Sequence, residues 1–331
     1  MDKSLNPKNI LVITLSNLGD AVLTTPVVAA LRAHFPGAEI SMLAGERSAG
    51  LFQGHDWIRN VYVYDKKATF KKKLDLILDL RKERFDLAID LRHSLFPILI
   101  GAKRWNPLFQ WGEGRTKVHA ADEHLSVLDM LNISSNTNTS FPFYNEKDLK
   151  DVSELFRMRG VRFDAPFIAM APGARSHLKR WDPNKFAQLA KILHRQYELP
   201  IVLVGDQSEK PVCDQVAYGL GDAVLNLAGK TSVQHSAAIL GRARLVVTND
   251  SASLHLADQQ KTPAVAIFGP TDEKKYGPRG AFSRAVRRNL FCSPCGLAQC
   301  PYRHECLENL SFEEVFKACL DTLDEERTVA V

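Results

Sequence analysis

Short apolar runs alternate with amphipathic segments along most of this chain, and this alternation limits the possible folds more than any other sequence feature. In the first half, such runs begin at Ile10, Ala38, Asn60 and Asp86. Strands buried on both faces of a parallel sheet have this apolar character, and helices cross between them. The pattern therefore predicts an α/β domain built on a doubly wound parallel sheet.

The same pattern starts again after Ala165, and a polar, turn-rich loop from Asn132 and a predicted helix from Lys147 precede the restart. Strands are predicted from Phe167, Pro200, Ala223, Arg244 and Pro263, and helices from Pro183, Ser208, Ser232 and Ser251. We therefore predict two domains, residues 1–164 and 165–310. We expect the C-terminal helix, residues 311–331, to pack back on the first domain.

The composition agrees with two domains and with the lack of a membrane-spanning segment. The 331 residues, 45% of them hydrophobic, are enough for two cores of ordinary size. A net charge of +5 suits a partner that carries phosphates but does not demonstrate one. The polar N-terminus leads directly into a strand and no apolar run is long enough for a bilayer, so we expect a cytoplasmic protein.

A carboxylate follows the first predicted strand, where ligands of open parallel sheets bind. The loop contains Gly19 and Asp20. A phosphate would be repelled by Asp20, but an ionised carboxylate can accept the proton of a hydroxyl nucleophile, and the positive end of the following helix favours the ionised form. Asp20 is therefore a candidate general base; a helix cap is the structural alternative.

Basic residues collect in the same predicted domain. Arg92 follows a buried strand, where an arginine suits a phosphate or carboxylate of an acceptor. Arg115 and Lys117 lie in a second basic segment that begins at Trp111, and we assign them to acceptor binding as well. The lysine run 71–73 is interpreted first as a solvated helix face, and contact with the phosphates and carboxylates of an acceptor is the alternative.

Three loops of the second predicted domain carry groups that bind phosphates. The first has cations and a hydroxyl that can neutralise a diphosphate without a metal. At the second, backbone amides and hydroxyls stand at the positive end of a helix; a third begins at Gly229. An exposed basic loop and ordinary helix caps are the alternatives. The candidates are Ser176, Lys179 and Arg180 in the first loop, and Asp250, Ser251 and His255 in the second.

Four of the six cysteines, Cys292, Cys295, Cys300 and Cys306, lie within fifteen residues. Four sulfur ligands on one loop can hold zinc or an iron–sulfur cluster, although the spacing matches no standard zinc finger. Free thiols or a disulfide are the alternatives. A reducing compartment favours a metal or thiol site over a disulfide framework.

Several sequence blocks together resemble glycosyltransferase family nine, the ADP-heptose:lipopolysaccharide heptosyltransferases. They begin at Leu18, Ala171, Asn249 and Thr262, and the resemblance covers nearly the whole chain. It implies two facing Rossmann-like domains of the GT-B type, with the acceptor in the first and the nucleotide-sugar donor in the second. It also implies inverting transfer of heptose from ADP-heptose to the lipopolysaccharide inner core, without a divalent metal.

The resemblance also implies roles for individual residues. Asp20 would deprotonate the acceptor hydroxyl, Lys179 would contact the donor diphosphate, and Thr231 would lie near the nucleoside. Asp250 and Ser251 would bind the donor's sugar and phosphates, His255 would stand at the phosphate end, and Ala252 replaces a glycine that is common in the family. The cysteine cluster resembles clusters that we interpret as structural in some family members.

The acceptor implied by the family is the lipid A–Kdo core, so we expect peripheral contact with the lipopolysaccharide precursor at the inner face of the cytoplasmic membrane. The sequence leaves open whether Kdo or heptose is the acceptor sugar, the exact donor and the oligomeric state; we expect no nucleic-acid partner. One alternative is a non-hydrolysing nucleotide-sugar epimerase on the same scaffold, or a family member with another donor. The other is a non-catalytic metal or redox sensor.

Overall fold

A computed structural model describes residues 6–107, 118–135 and 139–329 of the chain, with side chains described as far as residue 325. The chain divides into two compact units, Met1–Phe141 and Pro142–Val331. Each unit is built around its own parallel sheet. Among the described helices, none is both long enough and apolar enough to cross a membrane.

The sheet of the first unit has five strands in the order β3-β2-β1-β4-β5, and all pairings are parallel. Its strands are β1 (Asn9–Ile13), β2 (Glu39–Gly45), β3 (Ile58–Tyr64), β4 (Leu87–Asp90) and β5 (Arg104–Trp105). The helices described in this unit are α1 (Leu18–Val22), α2 (Thr25–His34), α3 (Phe70–Lys82), α4 (Phe96–Leu99) and α5 (Ala120–Asp129).

The core of the first unit is formed by apolar residues of both its strands and its helices. Leu11 and Ile13 of β1 are fully buried, as expected for a central strand of a parallel sheet. Leu80 of α3 and Phe96 of α4 pack in the same cluster as these strand residues. Helices α3 and α4 therefore both bury one side against the sheet.

The sheet of the second unit has six parallel strands in the order β11-β10-β9-β6-β7-β8. The strands are β6 (Ile168–Ala171), β7 (Ile201–Leu203), β8 (Val224–Asn226), β9 (Leu245–Asn249), β10 (Ala264–Phe268) and β11 (Arg284–Arg287). Its helices are α6 (Glu146–Arg157), α7 (Pro183–Tyr197), α8 (Lys210–Ala217), α9 (Val233–Arg242), α10 (Ala252–Gln259), α11 (Glu273–Tyr276), α12 (Glu305–Glu308) and α13 (Phe312–Val329). The predicted α/β class with two doubly wound parallel sheets is confirmed.

The division between the units differs from the predicted boundary at residue 164. Helix α6 begins with a capping box at Asn145 and packs against α9, so it belongs to the second unit. Helix α13 packs on α7 and beside β10 and β11, where Val315, Cys319 and Leu323 are fully buried. The C-terminal helix, predicted to return to the first domain, therefore completes the core of the second unit, because its apolar side is covered there.

Candidate functional site

Each sheet has one switch point, which is a pair of adjacent strands from which the strand order proceeds outward in opposite directions. In the first unit this switch point lies between β1 and β4, and in the second between β6 and β9. Ligands of doubly wound sheets bind beyond the carboxyl ends of the strands at such points. The segments that follow these four strands carry Asp20, Arg92, Lys179 and Asp250, respectively.

Asp20 lies in the first turn of α1, directly after β1, and is half-buried. The residue at the helix cap is Asn17, whose Nδ2 donates a hydrogen bond to Asp20 Oδ2 at 2.9 Å. The preceding loop is tightly held: a Cβ on Gly45 would lie 2.8 Å from Ser16 Cα. Asp20 is thus not the N-cap, and its carboxylate is oriented by a neutral neighbour on a loop with little room to shift.

Arg92 follows β4 in a loop that Asp90 organises. The buried Asp90 carboxylate accepts hydrogen bonds from the backbone N–H groups of Arg92 and Ser94 at 2.9 and 2.6 Å. The Arg92 guanidinium lies over the Tyr64 ring, 5.0 Å from its centroid, and its buried Nη1 has no hydrogen-bond partner among the described residues. A cation with an unused donor on an aromatic face is well suited to an anionic group.

The other two predicted acceptor residues, Arg115 and Lys117, lie outside the described residues. Just before that gap, the Asn106 side chain accepts a hydrogen bond from the Asp90 backbone N–H at 2.6 Å and donates one to the Asp90 carbonyl at 3.0 Å. The end of β4 is therefore fixed from both sides, and Arg92 is the acceptor candidate whose surroundings are described.

In the second unit, Lys179 and Asp250 meet directly. Lys179 Nζ lies 2.6 Å from Asp250 Oδ2, and Thr271 Oγ1 donates a hydrogen bond to the same oxygen at 2.5 Å. Asp250 is 4% exposed and Lys179 is 30% exposed, so the lysine keeps a side open to a ligand. An ammonium group has three donors, and this pair uses one of them. Sequence analysis did not identify Thr271.

Asn249, the last residue of β9, places the Lys179 loop. Its Nδ2 donates to the Pro172 carbonyl at 2.8 Å, and its Oδ1 accepts the Trp181 N–H at 3.1 Å. The Trp181 side chain is fully buried, and Arg180 Nε donates to the Ala174 carbonyl at 2.6 Å. The loop between β6 and α7 is therefore closed on the end of β9, which brings Lys179 to Asp250.

The residues predicted at the start of α10 lie next to this pair in the chain. Ser251 caps α10 with extended backbone, and its Oγ lies 3.2 Å from Thr248 Oγ1. Ala252 is the first residue of helix α10. This position is commonly glycine in the family that the sequence resembles, but a helical residue needs no left-handed backbone. His255 is buried one turn later.

Among the described residues, the hydroxyl groups of Thr231 and Ser176 are not hydrogen-bonded to the Lys179–Asp250 pair. Thr231 follows the edge strand β8, and its hydroxyl lies 2.9 Å from Ser236 Oγ. Ser176 begins the short 3₁₀ turn His177–Lys179, and its hydroxyl makes no hydrogen bond within the described part of the chain. The predicted roles of both residues stay predictions.

Glu209 is a candidate that sequence analysis missed. Its carboxyl group packs so closely on the loop after β6 that a Cβ on Gly173 would lie 2.5 Å from Glu209 Cδ. It accepts the Asp206 N–H at 3.0 Å. Burial raises the pKa of Glu209, and the nearby Asp206 charge adds to this, whereas Arg180 opposes it. The sequence signal that could have identified Glu209 is a glycine after β6, a glycine after β7 and an acidic residue at the start of the next helix.

The four clustered cysteines line one cavity together with Leu178 and Pro270. All six cysteines of the chain are free, so the disulfide alternative is not present in this structure. Cys300 Sγ accepts the backbone N–H groups of Tyr302 and His304 at 3.4 Å, and burial together with the neighbouring sulfurs raises the pKa of Cys306. In the described arrangement, no three histidine, cysteine or acidic side chains are grouped to hold a metal ion.

The cysteine loop, residues 292–306, also contacts the segments that carry Lys179 and Thr271. Leu178, the neighbour of Lys179, lines the cysteine cavity, and the rings of His177 and His304 lie 5.7 Å apart. The backbone N–H of Cys295 donates to the Pro270 carbonyl at 2.9 Å, one residue before Thr271. The loop thus contacts both segments that hold Asp250.

Comparison with known proteins identifies the family. The model of glycosyltransferase family 9 (heptosyltransferase) matches residues 108–305. A lipooligosaccharide heptosyltransferase 2 of Campylobacter jejuni is 26% identical over 308 residues, which cover 91% of this chain and 94% of the relative.

Two solved structures share the fold over almost the whole chain. The family 9 glycosyltransferase of Veillonella parvula has a TM-score of 0.82 at 24% identity, covering 98% of this chain and 99% of the other. The ADP-heptose lps heptosyltransferase II of E. coli has a TM-score of 0.77 at 20% identity, covering 96% and 99%. These similarities confirm the GT-B fold type.

The family match covers more than half of the chain and concerns glycosyltransferases, so it does not favour the epimerase or sensor alternatives. The chain belongs to glycosyltransferase family 9, the heptosyltransferase family, and is a glycosyltransferase.

Proposed function

We propose that this enzyme transfers heptose from ADP-heptose to the inner core of lipopolysaccharide, with inversion at the anomeric carbon and without a catalytic metal. The observation that carries the proposal is the Lys179–Asp250–Thr271 cluster at the β6/β9 switch point of a family 9 chain. A lysine held beside a helix start is suited to a diphosphate leaving group. The heptosyltransferase names of the relatives support the choice of sugar.

In the proposed mechanism, the acceptor hydroxyl attacks the anomeric carbon while Asp20 takes its proton. The bond between that carbon and the donor phosphate breaks, and ADP leaves with the electron pair. Attack and departure occur on opposite faces of the sugar, which inverts the configuration. Lys179 and the amides at Ser251 stabilise the charge that develops on the departing phosphate. Arg180 adds a second cation, so the protein itself supplies what a metal ion supplies elsewhere.

Other donor contacts follow from position. Glu209 accepts hydrogen bonds from hydroxyl groups of the donor, because a buried acid with a raised pKa at this sheet edge is typical of a functional site. His255 and Ala252 line the start of α10 at the phosphates, Ser176 donates its hydroxyl to them, and Thr231 lies near the nucleoside.

The acceptor site is assigned to the first unit. Arg92 binds a phosphate or carboxylate of the lipid A–Kdo core, and Arg115 and Lys117 are assigned the same task from sequence alone. A cytoplasmic enzyme that attaches to the membrane peripherally would reach an acceptor anchored in the inner leaflet. Attachment through cations of the protein would be weakened by salt.

We also propose that the cysteine loop is structural and maintains the position of the Lys179 turn. Four thiolates are a suitable ligand set for zinc or an iron–sulfur cluster. Binding would draw the sulfurs closer together than in the described arrangement. Elemental and sulfide analysis of anaerobically purified protein tests whether a metal holds the loop: a stoichiometric metal supports this, and metal-free protein with intact donor binding contradicts it.

The function is tested by offering the purified enzyme a panel of sugar nucleotides and defined core acceptors that end in Kdo or in heptose. We expect transfer from ADP-heptose, an inverted anomeric linkage by NMR, and a rate that does not depend on added divalent cations. Release of an epimerised sugar nucleotide in the absence of acceptor, or transfer only from another donor, would contradict the proposal.

A further inference from the structure

Two helices of the first unit expose large apolar side chains to solvent. On α3 these are Phe70, which is 81% exposed, with Leu74 and Leu78 at 43% and 45%. At α4 they are Leu95, which is 60% exposed, with Ile98 and Leu99 at 48% and 45%. We call these six side chains the α3–α4 apolar face. Helices α3 and α4 contact one another, and exposed apolar side chains clustered in this way indicate an interaction surface.

The exposed side chains are not the side of the helices that forms the core. Leu76, Ile77 and Leu80 of α3 already pack with the sheet, as does Phe96 of α4. Phe70, Leu74 and Leu78 are spaced four residues apart, so they form a second stripe along the helix. A helix that only covers a sheet needs one apolar side. The second stripe therefore calls for a partner outside this unit's core.

The charge around the face indicates which partner it fits. Residues 66–73 contain five lysines around the start of α3, and the exposed acids of this helix, Asp75 and Asp79, lie further along it. Lys66, Lys67, Lys71 and Lys72 are exposed, whereas Lys73 Nζ donates to the Lys66 carbonyl at 2.8 Å. Apolar side chains next to clustered lysines are typical of helices that lie in the interface of an anionic membrane.

The helices that carry this face lie beside the acceptor candidate Arg92. Tyr64, the last residue of β3, joins them: its ring centroid lies 5.2 Å from that of Phe96, 5.0 Å from the Arg92 guanidinium carbon and 5.9 Å from Lys73 Nζ. Helix α3 begins six residues after β3, and the loop of Arg92 leads into α4. The starts of both helices therefore lie at the same sheet edge as Arg92.

We propose that the α3–α4 apolar face docks on an anionic lipid bilayer, with its apolar side chains among the headgroups and the 66–73 lysines on lipid phosphates. The inference deepens the peripheral location proposed above and rests on it for the choice of a membrane. Docking there would present Arg92 to an acceptor anchored in the same bilayer.

Co-sedimentation with vesicles tests the docking surface. The probes are vesicles of phosphatidylcholine alone and of phosphatidylcholine mixed with phosphatidylglycerol, both free of lipopolysaccharide. We expect salt-sensitive binding to the anionic vesicles only. The variant Lys67→Gln/Lys71→Gln/Lys72→Gln should bind about 100-fold more weakly, since each lysine near such a surface contributes about 1 kcal/mol. The variant Phe70→Ser/Leu74→Ser/Leu78→Ser should lose at least about 10-fold.

Matched controls come from exposed positions of the second unit. Lys147→Gln/Lys150→Gln/Lys191→Gln removes the same charge, and Met158→Ser/Tyr218→Ser removes apolar side chains that are 69% and 89% exposed. Neither control should change vesicle binding. Thermal unfolding of each variant shows whether it is folded, and the exposed positions are expected to tolerate the changes.

Three results would overturn the inference. One is a folded wild-type protein that does not bind the anionic vesicles, and another is equal loss in the variants and their controls. The third is self-association that the apolar variant abolishes without any effect on vesicle binding, which would make a second copy the occupant. Transfer to a water-soluble, delipidated acceptor should be unchanged in the apolar variant. That assay fails if the proposed function is wrong, whereas the vesicle assay does not depend on it.

Discussion

The charged residues at the two switch points of this enzyme have different kinds of partner. In the first unit, the charged groups are supported by neutral neighbours: Asn17 orients Asp20, and the Tyr64 ring lies under Arg92, which keeps an unused buried donor. In the second unit, Lys179 and the buried Asp250 neutralise one another at 2.6 Å. The charges of Asp20 and Arg92 are therefore left for the proposed substrates, whereas those of Lys179 and Asp250 hold each other in place.

This difference decides what a mutation can reveal. A carboxylate that is 4% exposed needs a nearby cation, because removing one partner of a buried pair leaves an uncompensated charge. We therefore expect Lys179 to contribute to stability in addition to its proposed role in donor binding. Asp20 and Arg92 have no such partner of opposite charge in the described hydrogen bonds, so their substitution should affect activity alone.

The change with the largest expected effect is Asp20→Asn. The amide keeps the shape of the side chain and can still bond with Asn17, but it cannot take a proton. Turnover should fall by roughly 10² to 10⁴-fold, while ADP-heptose affinity and thermal stability stay close to wild type. Steady-state kinetics and donor titration measure this. Asp56→Asn, an exposed acid of the same unit, is the control, and wild-type turnover in Asp20→Asn would remove the assignment.

The second prediction separates stability from catalysis at the pair. Lys179→Met should lower the rate on the order of 10²-fold and reduce stability by about 1–3 kcal/mol, because the buried Asp250 loses its cation. Adding Asp250→Asn should restore most of the stability, since the charge is gone, but none of the rate. Denaturant unfolding and kinetics on both variants measure the two effects. If stability and rate recover together, Lys179 has only a structural role.

The predictable parts of the molecule are those with a local signal. Strand and helix alternation indicated both sheets, and loops after strands indicated Asp20, Arg92, Lys179 and Asp250. The sequence does not show that Lys179 and Asp250 pair, because they lie 71 residues apart and meet only through the β6–β9 register. Amphipathicity likewise does not show which unit a helix packs in, so the sequence predicts α6 and α13 on the first domain although both pack in the second unit.

Arg92 gives the third test, which concerns the open character of the first site. Arg92→Met should raise the KM for the acceptor about 10-fold, the expected cost of losing a hydrogen bond to a charged group, with donor KM and stability unchanged. Arg92→Lys should recover only part of this, because an ammonium lacks the planar group that lies over Tyr64. Arg47→Met, at an exposed site of the same unit, is the control. A raised donor KM would contradict the placement of the acceptor.

The smallest expected effect is that of Glu209→Gln. This variant tests whether burial of the Glu209 carboxyl group lowers the stability of the second unit, separately from the Lys179–Asp250 pair. Burial raises the pKa of Glu209, so between the usual carboxyl range and the raised value the folded state binds more protons than the unfolded state. This contribution makes stability fall as pH rises through that window.

The glutamine keeps an acceptor for the Asp206 N–H but cannot ionise. The variant should therefore gain less than about 1 kcal/mol at neutral pH and nothing once the pH is low enough to protonate Glu209. Donor affinity should fall several-fold if the carboxylate binds donor hydroxyls. Urea unfolding at two pH values and a donor titration measure both. A gain in stability with unchanged donor affinity would leave Glu209 as a loop contact, and the cost of burying it would then have no connection with the donor.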